Sequence, residues 1–208
     1  MRYNEHHKAE THAKLLKIAG KALREKGPDN IAVAEVMQAA GLTHGGFYAH
    51  FKSKDVFLAE TLQGIFAYSR AKVGTMTQGL PPRHALATYI DFYVSPSHRD
   101  NPSNGCPISA LNSDMPRQSK LFRSTFETGV KSLVGLLARW IGEAGIAEDG
   151  EALAASVLSA MVGAVAIARA VSDKTLSDEM LDAARAGIKA RLGISDAELS
   201  RRVNRELH

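Results

Sequence analysis

The sequence predicts an all-α protein: a small N-terminal three-helix unit joined by a continuous helix to a larger helical remainder. Three observations carry that prediction. Apolar residues recur at spacings of three and four rather than two. Glycine, in places followed by proline, closes one helical segment after another. No convincing strand pattern, repeat or low-complexity tract interrupts the chain.

Taken in order, Leu15, Leu16, Ala19, Ala22 and Leu23 share one face of a helix over Ala13 to Lys26, which Gly27 and Pro28 end. Val33 to Ala40 is a short helix turning Val36, Met37 and Ala40 inward, and Gly41 stops it. Thr43 stands at the expected N-cap of a third short helix, His44 to Ala49. Ser53 is the next good cap, and a long helix from Lys54 runs through Phe57, Leu58, Leu62, Ile65 and Phe66. A turn covers Gly79 to Pro82, and Ala85 to Val94 then groups Leu86, Tyr89, Ile90 and Tyr93 on one face. Ser95 to Pro107, rich in Pro, Ser and Asn, reads as the main loop. Three longer helices follow, near Pro116 to Ala144, Glu151 to Val171 and Ser177 to Leu192, with a short charged helix over Asp196 to Leu207. No flexible linker separates the two parts, so the boundary is expected within the helix that begins near Ser53, giving domains 1–55 and 56–208.

Composition narrows the function classes. The 208 residues are 45% hydrophobic and 23% charged, enough for a core and unlike a disordered chain. Cys106 is the single cysteine, which excludes an internal disulfide and fits a reducing cytoplasm. The first twelve residues are polar and unlike a signal peptide. The uncharged run Ala152 to Ala168 is 17 residues, short of the roughly 20 that a membrane span needs, and reads as a buried helix. The net charge is +4, and the first 54 residues hold nine Lys/Arg against five Asp/Glu, so the whole excess lies there. His6, His7, His12, His44 and His50 lie there too. A local basic excess suits a polyanion partner, although four charges also fit a solvated face.

The stretch Ile31 to Lys54 is helix, tight turn, helix. Ala39, Ala40 and Gly41 are small enough for two helices to approach, and Leu42 and Phe47 can pack between them. That leaves Thr43, His44, Gly45 and Gly46 at the exposed N-terminal end of the second helix, the end a recognition helix uses to reach bases in the major groove. Two glycines disfavour so short a helix by about 1 kcal/mol each, and a helix pressed against a DNA backbone has a use for them. Tyr48, His50, Lys52 and Lys54 carry groups suited to phosphates. Phe51 is read as core.

The run Gly41-Leu-Thr-His-Gly-Gly-Phe-Tyr-Ala-His-Phe-Lys-Ser-Lys54 closely resembles the recognition region of the tetracycline-repressor (TetR-type) family of bacterial regulators, with the match covering about Ala13 to Leu62. The resemblance implies a homodimeric, cytoplasmic regulator with an N-terminal DNA-binding domain and a C-terminal ligand-sensing and dimerisation domain. Carried over by position, Thr43, His44, Gly45, Gly46, Tyr48 and His50 would face a double-stranded DNA operator, with Lys54 on phosphate. Two positions depart from the family: Ala32 stands where a Thr or Ser cap is frequent, and Ala34 where a polar or basic residue reaches toward DNA.

The C-terminal part shows no catalytic constellation, no phosphate-cradling loop and no metal-ligand spacing, so neither enzyme activity nor a cofactor is expected. Cys106 lies between the loop and a helix starting at Pro107, at the N-cap, where a thiol gains thiolate character. A Gly-Cys at a comparable place occurs in a subset of TetR-type regulators. Cys106 is therefore either a redox or electrophile sensor or a small buried hydrophobe. Phe66, Tyr89, Phe92, Tyr93, Phe122, Phe126 and Trp140 either line an effector pocket or fill the core. The small residues of Ala152 to Ala168 and the stripe Leu176, Met180, Leu181, Ala184, Ile188 and Leu192 suit a four-helix dimer interface built from the last two long helices. Two other readings compete: a cysteine-dependent enzyme using Cys106 with His98 as base, and a non-specific nucleoid-type DNA binder.

Overall fold

The computed structural model describes residues 2–195, and for residues 2–5 and His44 the backbone alone. The helix expected over Asp196 to Leu207 lies outside the described residues. Nine α-helices occur among them: α1 Arg2–Lys26, α2 Val33–Ala39, α3 Lys54–Met76, α4 Pro82–Tyr93, α5 Pro96–Asp100, α6 Pro107–Leu111, α7 Lys120–Glu143, α8 Gly150–Ala170 and α9 Lys174–Arg191. Three 3-10 turns, His44–Ala49, Pro102–Asn104 and Met115–Arg117, complete the order, and no strand occurs among the described residues. The all-helical expectation is met.

Caps explain where the boundaries moved. α1 starts well before Ala13, because residues 6–10 are exposed and polar and therefore show no apolar period. The expected main loop, Ser95 to Pro107, is mostly short helix. Ser95 Oγ accepts from the His98 N–H at 3.1 Å to start α5, and prolines open α5, the turn at 102–104 and α6. The helix expected from Pro116 is a 3-10 turn followed by α7, with Ser119 Oγ accepting from the Phe122 N–H. α9 begins three residues early because Asp173 Oδ1 accepts from the N–H groups of Thr175 and Leu176 at 2.9 and 3.2 Å.

The chain forms two compact units, Met1–Arg70 with Pro102–Gly129, and Ala71–Asn101 with Val130–His208. In the first, α1 packs on α2, on the turn at 102–104 and on α6. Its core includes Leu15, Ala19, Leu23, Met37, Phe47, Phe51, Phe57 and Leu62. The Phe66 ring lies so close over Gly129 that a Cβ there would fall 2.1 Å from it.

In the second unit, α8 packs along α9, and α4 and α5 pack on that pair. Leu86, Ile90, Leu137, Ile141, Val157, Met161, Val165, Leu181 and Ile188 are buried. Arg99, 4% exposed, donates to Asp100 Oδ1 at 2.8 Å, Ser177 Oγ at 2.7 Å and Asp178 Oδ1 at 2.5 Å. Arg169 of α8 donates to the carbonyls of Arg99 and His98 at 3.0 and 2.9 Å. α8 is long and apolar enough to cross a membrane, and is the one such helix among the described residues. It opens on an Asp149 cap and carries Arg169 in its last turn.

Candidate nucleic-acid interface

The recognition turn begins with the way α2 ends. Ala40 is the C-cap, Gly41 adopts φ +79°, and Leu42 and Gly41 donate to the carbonyls of Met37 and Gln38, both at 2.9 Å. This is the Schellman closure, and only glycine enters it without strain. Lys14 of α1 reaches across and donates to the Ala40 carbonyl at 2.8 Å. The chain thus leaves α2 in one fixed direction. At the other end of α2, Ala32 is extended with no side-chain cap and Ala34 is exposed, as the departures at these two positions implied.

The helix expected over His44 to Ala49 is a 3-10 turn, held by Gly46 N–H to Thr43 O at 3.1 Å and His50 N–H to Phe47 O at 2.9 Å. Two consecutive glycines and so few residues favour the tighter winding over a full α-turn. Thr43 occupies the N-cap with an extended backbone, but its hydroxyl does not cap the turn, contrary to expectation. Ser53 does cap α3, accepting from the Val56 N–H at 3.2 Å.

An aromatic cluster fastens the turn from below. The Phe47, Phe51 and Phe57 rings lie 4.7 to 5.5 Å apart between centroids, and all three are at most 3% exposed. His12 of α1 lies on the Phe51 ring at 4.6 Å and bonds Glu60 of α3 at 2.8 Å. Above this cluster Thr43, Gly45, Tyr48, Lys52 and Lys54 are exposed, Tyr48 by 72%, while Gly46 and His50 are half-buried. The side chain of His44 lies outside the described residues. His50 Nδ1 is buried with no hydrogen-bond partner, and burial, then His12, then Lys8, lowers its pKa. At neutral pH it therefore offers a hydrogen bond rather than a charge.

Gly45 and Gly46 are not demanded by the fold. Neither has positive φ. A Cβ on Gly45 would meet nothing within 4 Å, and one on Gly46 would make ordinary contact with Met37.

The sensing candidates divide between the units. Phe66 and Phe126 face each other at 6.3 Å in the first, and Tyr89 touches Tyr93 and Trp140 at 5.7 and 6.1 Å in the second. Phe122 is buried in the first unit, and Phe92 stacks on His98 in the second. Cys106 is the N-cap of α6 and half-buried. α6 has five residues, so its dipole is small, and the expected helix effect on the thiol is weak. Of the α9 stripe, Leu181, Ile188 and Leu192 are buried within the chain's own core, while Leu176 is 46% exposed and Ile167 of α8 is 50% exposed. His98, the base of the enzyme alternative, is 3% exposed with Nδ1 on the Tyr93 carbonyl at 2.6 Å, and burial pushes its pKa down to about 4. No cluster of three or more candidate metal ligands occurs among the described residues. Sequence reasoning missed Lys14 and Arg24, since each reads as an ordinary cation on a helix and its role depends on a distant carbonyl.

Comparison with known proteins follows the same division of labour. Residues 15–61 match the model of bacterial regulatory proteins of the tetR family. Residues 82–185, half of the chain, match the C-terminal domain of LmrA/YxaF-like transcriptional regulators. The chain belongs to the TetR family of transcriptional regulators, helix-turn-helix proteins that bind DNA operators and dimerise. It is similar to the HTH-type transcriptional repressor NemR of Escherichia coli K12, 21% identical over 138 residues, covering 65% of this chain and 69% of that one. It is also similar to the uncharacterized HTH-type transcriptional regulator YwcC of Bacillus subtilis, 26% identical over 137 residues and 58% of each chain. Among solved structures, the reduced form of E. coli NemR superposes with a TM-score of 0.74 at 20% identity, covering 86% of this chain and 96% of that one. A TetR-family regulator from Cytophaga hutchinsonii superposes at 0.76 and 18%, covering 91% and 96%.

Proposed function

We propose that the chain is a homodimeric repressor whose grip on a specific operator is released by a small molecule or by modification of Cys106. Residues 1–55 carry the DNA contacts and residues 56–208 sense and dimerise. The cytoplasm, where such an operator is accessible, is its place of work, and its role is regulatory rather than catalytic. One observation carries the DNA reading: an aromatic cluster fixes a turn whose outward glycines serve no internal purpose. Such a surface lets backbone approach backbone. Thr43 to Gly46 would reach base edges, and Tyr48, His50, Lys52 and Lys54 would hold phosphates. Two copies would place their turns in successive major grooves about one helical turn apart.

The dimer would form through the faces that α8 and α9 leave exposed. Ala152, Ser156, Ser159 and Ile167 lie along one, and Leu176, Ala183 and Gly187 along the other. Small residues let helices approach closely, as a four-helix interface needs. The aromatic groups around Phe66 with Phe126, and around Tyr89, Tyr93 and Trp140, are the candidate effector contacts. Release requires an effector that binds the two states unequally.

The test is selection of genomic fragments by the purified protein, followed by anisotropy on the selected site. A regulator binds that site on the order of a thousandfold tighter than bulk DNA. Lys54→Ala should weaken both and lower the salt slope by about one. Equal affinity for all fragments would mean a nucleoid-type binder instead.

A further inference from the structure

α1 touches the chain on both sides of the turn at 44–49. Ahead of it, Lys14 donates to the Ala40 carbonyl at 2.8 Å. Behind it, His12 lies 4.6 Å from the Phe51 ring and 6.3 Å from the His50 ring, between centroids. His12 Nε2 also lies 2.8 Å from Glu60 Oε2 on α3, 48 residues away in sequence. An ionised carboxylate only accepts, so Nε2 carries a hydrogen and donates it. A second proton therefore enters at Nδ1, and it turns a neutral hydrogen bond into a charge-assisted one about twice as strong. The two side chains are 31% and 38% exposed, so water screens the pair and keeps its worth modest. His50 caps the turn, and its Nδ1 is buried with no partner. Burial, then His12, then Lys8, lower its pKa. Other elements bring little charge to this corner. α2 has one ionisable residue, Glu35, which pairs with Lys26, and His6 of α1 pairs with Glu10. The turn at 102–104 and α6, which also pack on α1, carry no charged side chain. Lys52, Lys54 and Asp55, next along the chain from His50, are exposed.

We infer that His12 is a positioning residue for operator binding: paired with Glu60, its imidazole braces α1 against α3 and holds the Phe51–His50 end of the recognition turn in place. This rests on the reading that the turn, with His50, is the DNA surface, and it names a proton as one control on that surface. His12 acts through Phe51 and His50, and no contact of its own with DNA is needed. An imidazole is the one side chain that ordinarily changes charge between pH 6 and 8. The brace therefore tightens as the pH falls through that window and relaxes as it rises. The Lys14 brace ahead of the turn has no such dependence. The aromatic cluster keeps the turn folded at either pH, and the proton alters only how firmly α1 holds it.

The experiment is anisotropy of the full-length protein on its selected DNA site, at pH 6 and pH 8 and constant salt. Glutamine in place of His12 keeps a donor toward Glu60 but cannot take the second proton. His12→Gln should weaken binding about threefold at pH 6 and less than about 1.5-fold at pH 8. Glu60→Gln, which breaks the same pair from α3, should show the same split. Lys14→Met should cost the same at both. Each variant is compared with wild type at the same pH, so the shared titration of His6, His7 and His44 cancels. Because His12 acts on His50, the comparison is repeated with His50→Gln in both proteins, and the split should persist. A loss of equal size at both pH values overturns the inference, as does no loss at pH 6 or a larger one at pH 8. A split that vanishes with His50→Gln assigns the effect to His50 and overturns it as well. Should His12→Gln fail to fold, Glu60→Gln decides alone. Lys54→Ala and His50→Gln separate this from the reading beneath it. If both bind the site like wild type, the turn is not the DNA surface and the inference falls with that reading. If both bind weakly and His12→Gln shows no split, the His12 brace alone fails.

Discussion

The unit that holds the recognition turn and the unit that holds α5, α8 and α9 close their critical segments by different physics. Around the turn, three phenylalanines and a glycine closure fix the backbone, and the polar groups point outward. Around α5, a buried arginine and a second arginine from α8 tie the segment to α9 and α8 through four polar contacts. Apolar packing is insensitive to pH and salt, whereas hydrogen-bonded charge depends on both. The turn at 44–49 is held by the first. The α5 segment is held by the second.

The largest expected effect breaks the aromatic side. Phe51→Ala should cost about 3–5 kcal/mol of local stability, because a ring 2% exposed leaves a cavity between Phe47 and Phe57. Hydrogen exchange should show amide protection lost over residues 44–57. Trp140, buried in the other unit, should keep its unfolding midpoint, and a matching fall there would refute separate closure.

Acid should act on the second unit. His98 has a pKa of about 4 when folded against 6.5 when exposed, with burial the leading cause and the Tyr93 carbonyl bond opposing it. Between those values the unfolded chain holds a proton that the folded chain does not. Stability is therefore complete above pH 6.5 and falls by roughly 3 kcal/mol as the pH drops to 4. Urea melts followed by Trp140 fluorescence should show the slope, and His98→Asn, which retains a donor toward Tyr93 O, should flatten it.

Arg99→Met should cost about 2 kcal/mol, less than a fully enclosed ion pair, since Asp100 and Asp178 are each about half exposed. The gap from wild type should narrow in 1 M salt, whereas the Phe51→Ala gap should not. Smallest in stability is Gly45→Ala. With ordinary φ and open space around it, the change should leave the melt within about 0.5 kcal/mol of wild type while weakening operator binding by about 1 kcal/mol in anisotropy. Unchanged operator affinity would remove Gly45 from the interface.

The recognition region was legible because its signals are local. Gly41 marks the closure of α2, Phe47 and Phe51 repeat at helical spacing, and exposed residues lie on either side of them and between them. What failed there was also local: Thr43 has the right residue type for a cap, yet the 3-10 winding leaves its hydroxyl out of that role. Ser95 to Pro107 misled because Pro, Ser and Asn mark loops and helix starts alike, and only the caps actually formed distinguish the two. The α9 stripe misled differently. Periodicity says that a face is apolar, not whose core it enters, and Leu181 and Ile188 enter their own.

By itself the sequence determined the helical class, the glycine closures, the aromatic support and the outward glycines of the recognition turn, because each depends on residues within a few turns of one another. Only the tertiary structure decided that Arg24 is buried without a carboxylate beside the Cys106 segment, and that Arg99 reaches Asp178. Those partners lie 79 residues apart in each case, and no local pattern encodes which distant carbonyl or carboxylate a long, flexible cation will meet.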